Sequence, residues 1–344
     1  MSKKSLALII ALLMVTSLLA ACGGGQTKDQ GQKPPEEQPI RVAMVTDVGG
    51  VEDQSFNQAA WEGLQKANTD LGIEVGFRES NQEADYEPNI DDLVDAGYEF
   101  IWGVGFKMAT AIKEASENYP ENIFGVIDFA YGDDTPENVV GVVFKEQEAS
   151  YLVGLIAGKM TQTNKVGFIA GMDIDVIHRF QYGFYAGLKD ANPDVEILYQ
   201  NANAFDDQAA GKSIALQMYQ QGADIIFHAA GDTGTGMIEA AREQNKWAIG
   251  VDRDQNYLAP DNVITSAMKG VDLAVYEIAQ ELKNGTFKGG RTLVYGLAEG
   301  GVDIAPTSNK HVPQEILDFV EEQKQKIISG EIVIPANKEE YDAR

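Results

Sequence analysis

The chain has 344 residues, of which 44% are hydrophobic, and its formal net charge at pH 7 is −26. So acidic a protein repels nucleic-acid phosphates and anionic lipid headgroups, which argues against nucleic acid as a partner. Cys22 is the single cysteine, so no intramolecular disulfide can form. The folded part must therefore be stable through its hydrophobic core alone.

The N-terminus has the pattern of a bacterial export signal. Two lysines precede an apolar run over residues 6–20, which is too short to be a permanent membrane span. The sequence Leu19-Ala20-Ala21-Cys22 resembles the lipobox of bacterial lipoproteins. We predict a signal peptide over residues 1–21 and lipidation of Cys22, including palmitate. An ordinary cleaved signal with a chance cysteine is the alternative.

The segment that follows the signal lacks any apolar run. Residues 23–39 read GGGQTKDQGQKPPEEQP, a composition that cannot bury enough surface to offset chain entropy. Without residues 1–21 the formal charge is −28, because that segment holds two lysines and no acid. We predict that residues 22–39 form a lipidated flexible tether, and that the lipid, not a basic patch, holds the protein at the membrane.

From Ile40 onward, short apolar runs alternate with stretches of helical periodicity. The runs are apolar on both faces and lie a helix-length apart, which is typical of parallel strands covered on both sides. The first half contains predicted strands Ile40–Thr46, Ile73–Ser80, Phe100–Gly105 and Asn122–Phe129, and predicted helices 56–71, 85–96 and 107–118.

The second half repeats this order. Its predicted strands are Lys165–Gly171, Val195–Asn201, Asp224–Gly231 and Trp247–Asp252, and its predicted helices are 178–191, 206–221 and 233–245. FGVIDF in the first half corresponds to AIGVDRD in the second, so Asp128 and Asp252 each end a fourth strand. Strands Val139–Phe144 and Val263–Lys269, followed by helices 146–160 and 271–284, fall where the pattern passes between halves.

This pattern predicts an α/β protein with two similar doubly wound parallel-sheet domains, joined by a multi-strand hinge. The predicted N-terminal lobe is 40–143 plus about 270–292, and the C-terminal lobe is 144–269 plus about 293–344. Ligands of open parallel sheets bind at the carboxyl ends of the strands. We therefore expect the functional site in a cleft between the two sheets.

Aromatic residues follow predicted strands in both halves. Phe56 begins a predicted helix that Asp53 or Ser55 can cap, and its ring would point toward the cleft or, alternatively, pack as a helix-entry staple. Phe205 follows a strand of the second half, with Phe180 as a rival. Two rings from opposite lobes would suit a flat ligand, since aromatic stacking stabilises by about 0.5–1.5 kcal/mol per pair.

A glycine-rich turn and two charged residues complete the candidate site. Gly231 lies in AAGDTGTG, where a backbone without Cβ atoms can approach a ligand closely, or simply form a tight loop. Asp252 can accept two hydrogen bonds from a vicinal diol such as that of a ribose. It could instead pair with Lys269 or Arg253 in a structural salt bridge, and Asp128 is open to the same two interpretations.

Signals for catalysis are weak. The three histidines, His178, His228 and His311, are not in metal-binding spacing, and there is no nucleophile elbow. The stretch DQAAGKS is not a phosphate-binding loop, because Asp206 stands where the first glycine is required. We predict no enzymatic activity, no cofactor and no metal.

At these positions the chain resembles the basic membrane protein family of bacterial lipoproteins, the purine nucleoside receptors of ABC transporters. The matching segments are the lipobox, VTDVGGVEDQSFNQAAWEGL, VIDF, AFDDQAAGKS, AAGDTGTG, IGVDRDQ and TSAMKGVD. They cover essentially the whole chain after the signal. The resemblance implies a type I periplasmic-binding-protein fold whose cleft closes on a nucleoside.

The resemblance also implies roles for individual residues. Phe56 and Phe205 would stack on the base. The base edge would be bonded by Asp47, Asn57 and Asp128, and the ribose would be held by Gly231, Asp252 and Lys269.

The expected function is that of a lipid-anchored substrate-binding protein facing outside the cytoplasm. Its partners would be a purine nucleoside, the permease subunits of an ABC importer and the membrane through the lipid on Cys22, and we expect a monomer. The alternatives are a binding protein for a sugar or other small heterocycle, or a surface signalling lipoprotein with the same fold.

Overall fold

The structure is a computed structural model that describes residues 39–344. These residues form a single compact unit, Pro39–Arg344, that contains two six-stranded sheets. Cys22 and most of the predicted tether lie outside the described residues.

The first sheet is entirely parallel, in the order β11-β5-β4-β3-β1-β2. Its central strand β3 is completely buried and consists of apolar residues with glycine, as expected for a sheet covered on both faces. The strands are β1 (Arg41–Val48), β2 (Glu74–Ser80), β3 (Phe100–Val104), β4 (Ile123–Ile127), β5 (Val139–Phe144) and β11 (Arg291–Tyr295).

The second sheet has the order β12-β10-β9-β8-β6-β7, with β12 antiparallel to β10 and the other pairs parallel. Each sheet therefore reverses strand order between its first and third strands, the topology that creates a ligand crevice. The strands are β6 (Lys165–Ala170), β7 (Glu196–Asn201), β8 (Ile225–Ala229), β9 (Trp247–Asp252), β10 (Val263–Lys269) and β12 (Val302–Ile304).

Ten α-helices connect or flank these strands within residues 39–344. They are α1 (Phe56–Leu71), α2 (Tyr86–Asp95), α3 (Ala109–Asn118), α4 (Glu146–Met160), α5 (Asp175–Ala191), α6 (Gln208–Gln220), α7 (Thr233–Gln244), α8 (Val271–Lys283), α9 (Gln314–Ile328) and α10 (Lys338–Asp342).

Helix packing shows where the chain passes from one lobe to the other. After β5 the chain continues into α4, which packs on α5 and β10 of the second lobe. After β10 it returns to α8, which packs on α1 of the first lobe. Strand β11 pairs with β5 over its full length, so the chain remains in the first sheet as far as Tyr295.

Close helix contact depends on glycine in the pair α4 and α5. A Cβ atom on Gly187 would lie 2.1 Å from the carbonyl oxygen of Tyr151, and one on Gly183 would lie 2.3 Å from that of Gln147. Both distances are shorter than any real Cβ contact, so these positions admit only glycine at this separation. The tight pair holds α4, and with it the first residue after the crossing, Glu146, in a fixed place.

Candidate functional site

A cleft lies at the carboxyl ends of the strands of both sheets. Every residue that the sequence predicts for ligand binding lines it. Asp47, Phe56, Asn57 and Asp128 come from the first lobe, and Phe205, Gly231, Asp252 and Lys269 come from the second.

Three phenylalanines named by the sequence analysis contribute to the cleft wall. Phe56 begins α1 and Phe205 lies between β7 and α6, and both are partly exposed. Phe180 also lines the cleft but is only 3% exposed and packs on Phe227 at a ring-centroid distance of 6.3 Å. Phe56 and Phe205 are thus partly exposed rings from opposite lobes, whereas Phe180 is buried.

The start of α1 is organised by Asp53. Its carboxyl oxygens accept hydrogen bonds from the backbone N–H groups of Ser55, Asn57 and Gln58 at 2.8–3.0 Å. Of the two capping residues that the sequence leaves open, Asp53 therefore satisfies the helix start, and Ser55 makes no side-chain capping bond. This arrangement fixes the direction in which the side chains of Phe56 and Asn57 project from the start of the helix.

Asp128 and Asp252 occupy equivalent positions at the ends of β4 and β9, and both have a left-handed backbone. Their φ angles are 67° and 63°, a region that residues other than glycine rarely adopt. Strain of this kind persists where the surrounding structure enforces it, commonly at ligand sites. The same outlier in both lobes aims both carboxylates into one cleft.

Lys269 ends β10 and is 2% exposed. Its Nζ lies 2.7 Å from the carboxylate of Asp128 in the opposite lobe and 3.1 Å from that of Glu146. It also lies 4.9 Å from the centroid of the Phe56 ring, within the range of a cation–π contact. Although burial disfavours the ammonium, the carboxylates of Asp128, Glu146 and Asp252 outweigh it and raise the pKa of Lys269.

The salt bridge considered for Asp252 does not form. Lys269 pairs with Asp128 and Glu146, and Arg253 pairs with Glu62 at 2.6 Å. Asp252 instead accepts a hydrogen bond from Ser55 Oγ at 2.5 Å, across the cleft. For Asp128 the structure shows the opposite outcome, because its salt bridge to Lys269 is present.

Burial changes the ionisation of the cleft carboxyls. It raises the pKa of Asp47 to about 7, against the hydrogen bond that Asn57 donates. It raises the pKa of Asp252 to about 6, with Lys269 opposing the shift. The pKa of Asp128 is also raised by burial, again with Lys269 opposing. The cleft therefore holds more carboxyl groups than its single lining ammonium can neutralise.

Further hydrogen bonds join the lobes beside the cleft, at Gln54. Its backbone carbonyl accepts from Gln255 Nε2 at 3.1 Å, and its side-chain carbonyl accepts from the Tyr257 hydroxyl at 2.6 Å. Gln255 is itself held by the buried His228, whose Nε2 lies 2.9 Å from Gln255 Oε1. Burial lowers the pKa of His228 to about 4, so this ring is neutral at pH 7 and its Nε2–H donates to Gln255.

The glycine-rich turn at Gly231 lies close to Phe205. Gly231 has a φ of 54°, and a Cβ atom there would lie 3.1 Å from the carbonyl oxygen of Phe205. Thr233, which begins α7, accepts a hydrogen bond from the backbone N–H of Asp207 at 2.9 Å. The turn thus sets the loop that carries Phe205.

The sequence analysis missed several lining residues. Phe106 follows β3 directly, so the rule that strand ends meet the cleft could have identified it. The apolar lining side chains Ile174, Val176 and Ile177 lie where the loop after β6 enters α5. No sequence motif distinguishes these three from ordinary core residues.

Within residues 39–344, no cluster of three or more His, Cys, Asp or Glu side chains has an arrangement that could hold a metal ion. The same part of the chain contains no helix with the length and apolar character needed to cross a membrane.

Two lobes of mostly parallel sheet, with a cleft between their strand ends, form the type I periplasmic-binding fold. Residues 40–338 match the family described as Bmp, ABC transporter substrate-binding protein PnrA-like. The chain belongs to this family, as the resemblance predicted. Its members are substrate-binding proteins of ABC transporters, a class of solute-binding protein and not of enzyme.

Named relatives extend over nearly the whole chain. A CD4+ T-cell-stimulating antigen of Listeria monocytogenes is 40% identical over 97% of this chain and 99% of the relative. The ABC transporter nucleoside-binding protein BmpA of Lactococcus lactis is 36% identical over 98% of this chain and all of the relative.

A solved structure shows the same fold. The solute-binding protein of an ABC transporter system from Aeropyrum pernix superposes with a TM-score of 0.80 at 33% identity, covering 89% of this chain and 96% of that one. The predicted fold class is confirmed.

The raised carboxyl pKa values predict how stability depends on pH. Because Asp47 and Asp252 have folded-state pKa values of about 7 and about 6, above the ordinary 3.8, these two carboxyls bind more protons in the folded protein than in the unfolded chain between about pH 4 and pH 7. Their contribution to the free energy of unfolding of the ligand-free protein should therefore fall as pH rises through this window, whereas the buried His228, whose pKa is lowered to about 4, contributes in the opposite direction. Calorimetric unfolding at about pH 5 and about pH 7.5 measures the difference.

The variants Asp47→Asn and Asp252→Asn should each remove about 1 kcal/mol or more of the carboxyl contribution to this difference, and Asp47→Asn should remove the larger share because its pKa is raised further. An exposed substitution such as Asp261→Asn is the matched control and should leave the difference unchanged. If both cleft variants kept the full wild-type difference, the assignment of the pH dependence to these carboxyls would be wrong.

Proposed function

We propose that this protein is a lipid-anchored substrate-binding protein that binds a purine nucleoside in the interlobe cleft, closes on it and delivers it to the permease of an ABC importer. The observation that carries the proposal is the pairing of two partly exposed rings, Phe56 and Phe205, from opposite lobes of one cleft. The ring pair suits a flat heterocycle, and the carboxylates beside it suit the N–H and O–H donors of a nucleoside.

In this proposal both lobes contact the base, and the second lobe holds the ribose. Phe56 and Phe205 stack on the base, while Asp47, Asn57 and Asp128 bond its edge. Gly231, Asp252 and Lys269 hold the ribose, whose neighbouring hydroxyls match the two oxygens of a carboxylate. Ser55 Oγ donates a hydrogen bond to Asp252 at 2.5 Å. In the complex, Ser55 would either keep this bond and orient the carboxylate, or lose it when the ribose hydroxyls bond to Asp252.

The charge of the cleft favours an uncharged ligand. Four aspartates line it, Asp47, Asp53, Asp128 and Asp252, against the single ammonium of Lys269. That ammonium is already paired with two carboxylates. A nucleotide phosphate would be repelled in this low-dielectric site, whereas a nucleoside carries no charge.

Closure follows from contacts that join the lobes. Gln54, Ser55 and Asp128 of the first lobe bond Gln255, Tyr257, Asp252 and Lys269 of the second. Opening the cleft must break these bonds and separate the two rings. A ligand that contacts both lobes therefore binds the closed form best and shifts the equilibrium toward it.

The proposal also includes attachment of the protein to the membrane beside its permease. A lipid on Cys22 and a tether over residues 22–39 would keep the monomeric receptor at the membrane, at high effective concentration near its permease. ATP hydrolysis would belong to another subunit.

Calorimetry of residues 23–344 against a ligand panel tests the proposal. At least one of adenosine, guanosine and inosine should bind with a dissociation constant near 1 μM or lower, about −8 kcal/mol. Adenosine and guanosine monophosphates should bind at least about tenfold more weakly than their nucleosides, because of the cleft carboxylates. Heat from a plain sugar, with none from any purine nucleoside, would contradict the proposal and support the sugar-binding alternative.

The ring variants Phe56→Ala and Phe205→Ala should each weaken nucleoside binding by more than about 1 kcal/mol, since each removes one stacking partner. Tyr199→Ala, at a ring that is 45% exposed and outside the cleft lining, is the control. Chromatography of the nucleoside after long incubation should show no free base.

Because of the hydrogen bonds at Gln54, a substitution at Tyr257 should weaken nucleoside binding although Tyr257 is not one of the proposed ligand contacts. Tyr257→Phe removes the hydroxyl that donates to Gln54 Oε1 at 2.6 Å, a bond that in this proposal stabilises the closed form. A single hydrogen bond of this kind contributes about 0.5–1.5 kcal/mol, so nucleoside affinity should fall about two- to tenfold. Tyr199→Phe is the matched control. Equal affinity of Tyr257→Phe and wild type would show that this bond does not stabilise the ligand-binding form.

A further inference from the structure

The amide of Asn57 is fixed in one orientation by two carboxyl groups. Its Nδ2 donates to Asp47 Oδ1 at 2.8 Å and to Asp53 Oδ2 at 3.1 Å. Both amide hydrogens are used in these bonds, and a flipped amide would place its oxygen against two carboxyl oxygens. Asn57 therefore presents its Oδ1 elsewhere as a pure acceptor.

That Oδ1 is buried and has no hydrogen-bond partner among residues 39–344. Asn57 is 3% exposed and lines the cleft. A buried acceptor without a partner costs about 1–3 kcal/mol, so its presence in a ligand cleft points to a donor supplied by the ligand. The first element of the base-edge site is thus a fixed acceptor.

Asp47 supplies the second element. Its Oδ1 is engaged by Asn57, while its Oδ2 has no hydrogen-bond partner within the described chain and lies beside Gly105, where a Cβ atom would be 3.1 Å away. When Asp47 is ionised, Oδ2 is a second acceptor. When Asp47 is protonated on Oδ2, the same atom becomes a donor.

Charged and titratable groups face Asp47 from every neighbouring element. Asp53 before α1 and Asp128 after β4 disfavour its ionisation, and Lys107 after β3 favours it. Tyr86 at the start of α2 has a pKa raised by burial and by Asp47, so it remains neutral. With burial, these groups bring the pKa of Asp47 to about 7, where both protonation states are populated at neutral pH.

Building on the proposed nucleoside function, we propose that Asp47 and Asn57 select the purine base, and that the protonation state of Asp47 decides which base is preferred. The ionised form offers two neighbouring acceptors, Asp47 Oδ2 and Asn57 Oδ1. The protonated form offers a donor next to an acceptor.

The two forms match different bases. Guanine presents two neighbouring donors, its N1–H and its exocyclic N2–H₂, and so fits the pair of acceptors. Adenine presents its exocyclic N6–H₂ donor beside the N1 acceptor, and so fits the donor–acceptor pair. Ionised Asp47 would set an oxygen lone pair against adenine N1, and protonated Asp47 would leave a guanine donor facing a donor. Each mismatch leaves buried polar groups unpaired, which is the strongest basis of discrimination between similar ligands.

The test is calorimetry with guanosine and adenosine across about pH 5.5 to about pH 8.5. The ratio of guanosine affinity to adenosine affinity should rise at least about tenfold over this range, as Asp47 ionises. Groups that contact the ribose alike in both nucleosides, such as Asp252, cancel in the ratio. Inosine, which keeps the N1–H donor, should follow guanosine in direction.

The variant Asp47→Asn separates Asp47 from Asp128, which also faces the base edge. An asparagine that accepts from Asn57 Nδ2 through its oxygen presents its own amide N–H₂ as a donor, like protonated aspartate. Asp47→Asn should therefore retain adenosine, bind guanosine at least about tenfold more weakly than wild type at about pH 8, and show no pH dependence of the ratio. Asp261→Asn, at an exposed position, is the matched control and should behave as wild type.

A wild-type ratio that stays constant with pH, while nucleosides bind well, would overturn this inference and leave the proposed function intact. The same holds if Asp47→Asn keeps the wild-type pH dependence. If neither nucleoside binds at any pH, the proposed function itself fails, and this inference with it. Should Asp47→Asn fail to fold by circular dichroism, a wild-type ratio that stays constant with pH still overturns the inference, and a ratio that rises with pH for both guanosine and inosine relative to adenosine supports it.

Discussion

The ammonium of Lys269 is the interaction on which the rest of the cleft depends. It ends β10, the strand from which the chain returns to the first lobe, and its Nζ lies 2.7 Å from Asp128 of that lobe. Glu146, the first residue of α4 after an earlier crossing, lies 3.1 Å away. Removing Lys269 would leave the buried carboxylate of Asp128 without its ion-pair partner, a change that is strongly destabilising. One cation thus joins two crossings of the chain and both lobes.

The position of the Lys269 ammonium follows from the presence of two similar sheets whose strand ends face each other. Parallel strands end at one edge of each sheet, and the two edges face each other, so residues at strand ends meet whether or not they are close in sequence. Asp128 and Asp252 show this most clearly, because they end equivalent strands and share a left-handed φ. The excess of carboxyl groups at this edge is costly without a ligand. Hydrogen-bond donors from an uncharged ligand would offset part of that cost.

Much of the fold was predictable, because completely apolar runs such as that of β3 at helix-length spacing have few interpretations other than a covered parallel sheet. The segment after residue 290 was not predicted. Its strands β11 and β12 are short, and β11 exposes Val294 to 48%, so neither has the apolar character of the central strands. Helix α9 is amphipathic and mostly exposed, and the sequence analysis did not predict it.

At the site, residue positions were more predictable than bonding partners. All eight predicted residues line the cleft, because strand ends and the family resemblance both point there. The choice between Asp53 and Ser55 as the cap required three-dimensional structure, since both residue types cap helices well. The same is true of the partner of Lys269, because Asp128, Glu146 and Asp252 are distant in sequence and compete for one ammonium.

In the proposed function a purine nucleoside binds between the two lobes with its base between the two rings. A crystal structure of residues 23–344 grown at a saturating concentration of a purine nucleoside would show this arrangement. We expect the base to stack between Phe56 and Phe205, with ribose hydroxyls about 3 Å from the carboxylate of Asp252. A nucleoside bound outside the cleft, or a cleft that stays empty at saturation, would contradict it.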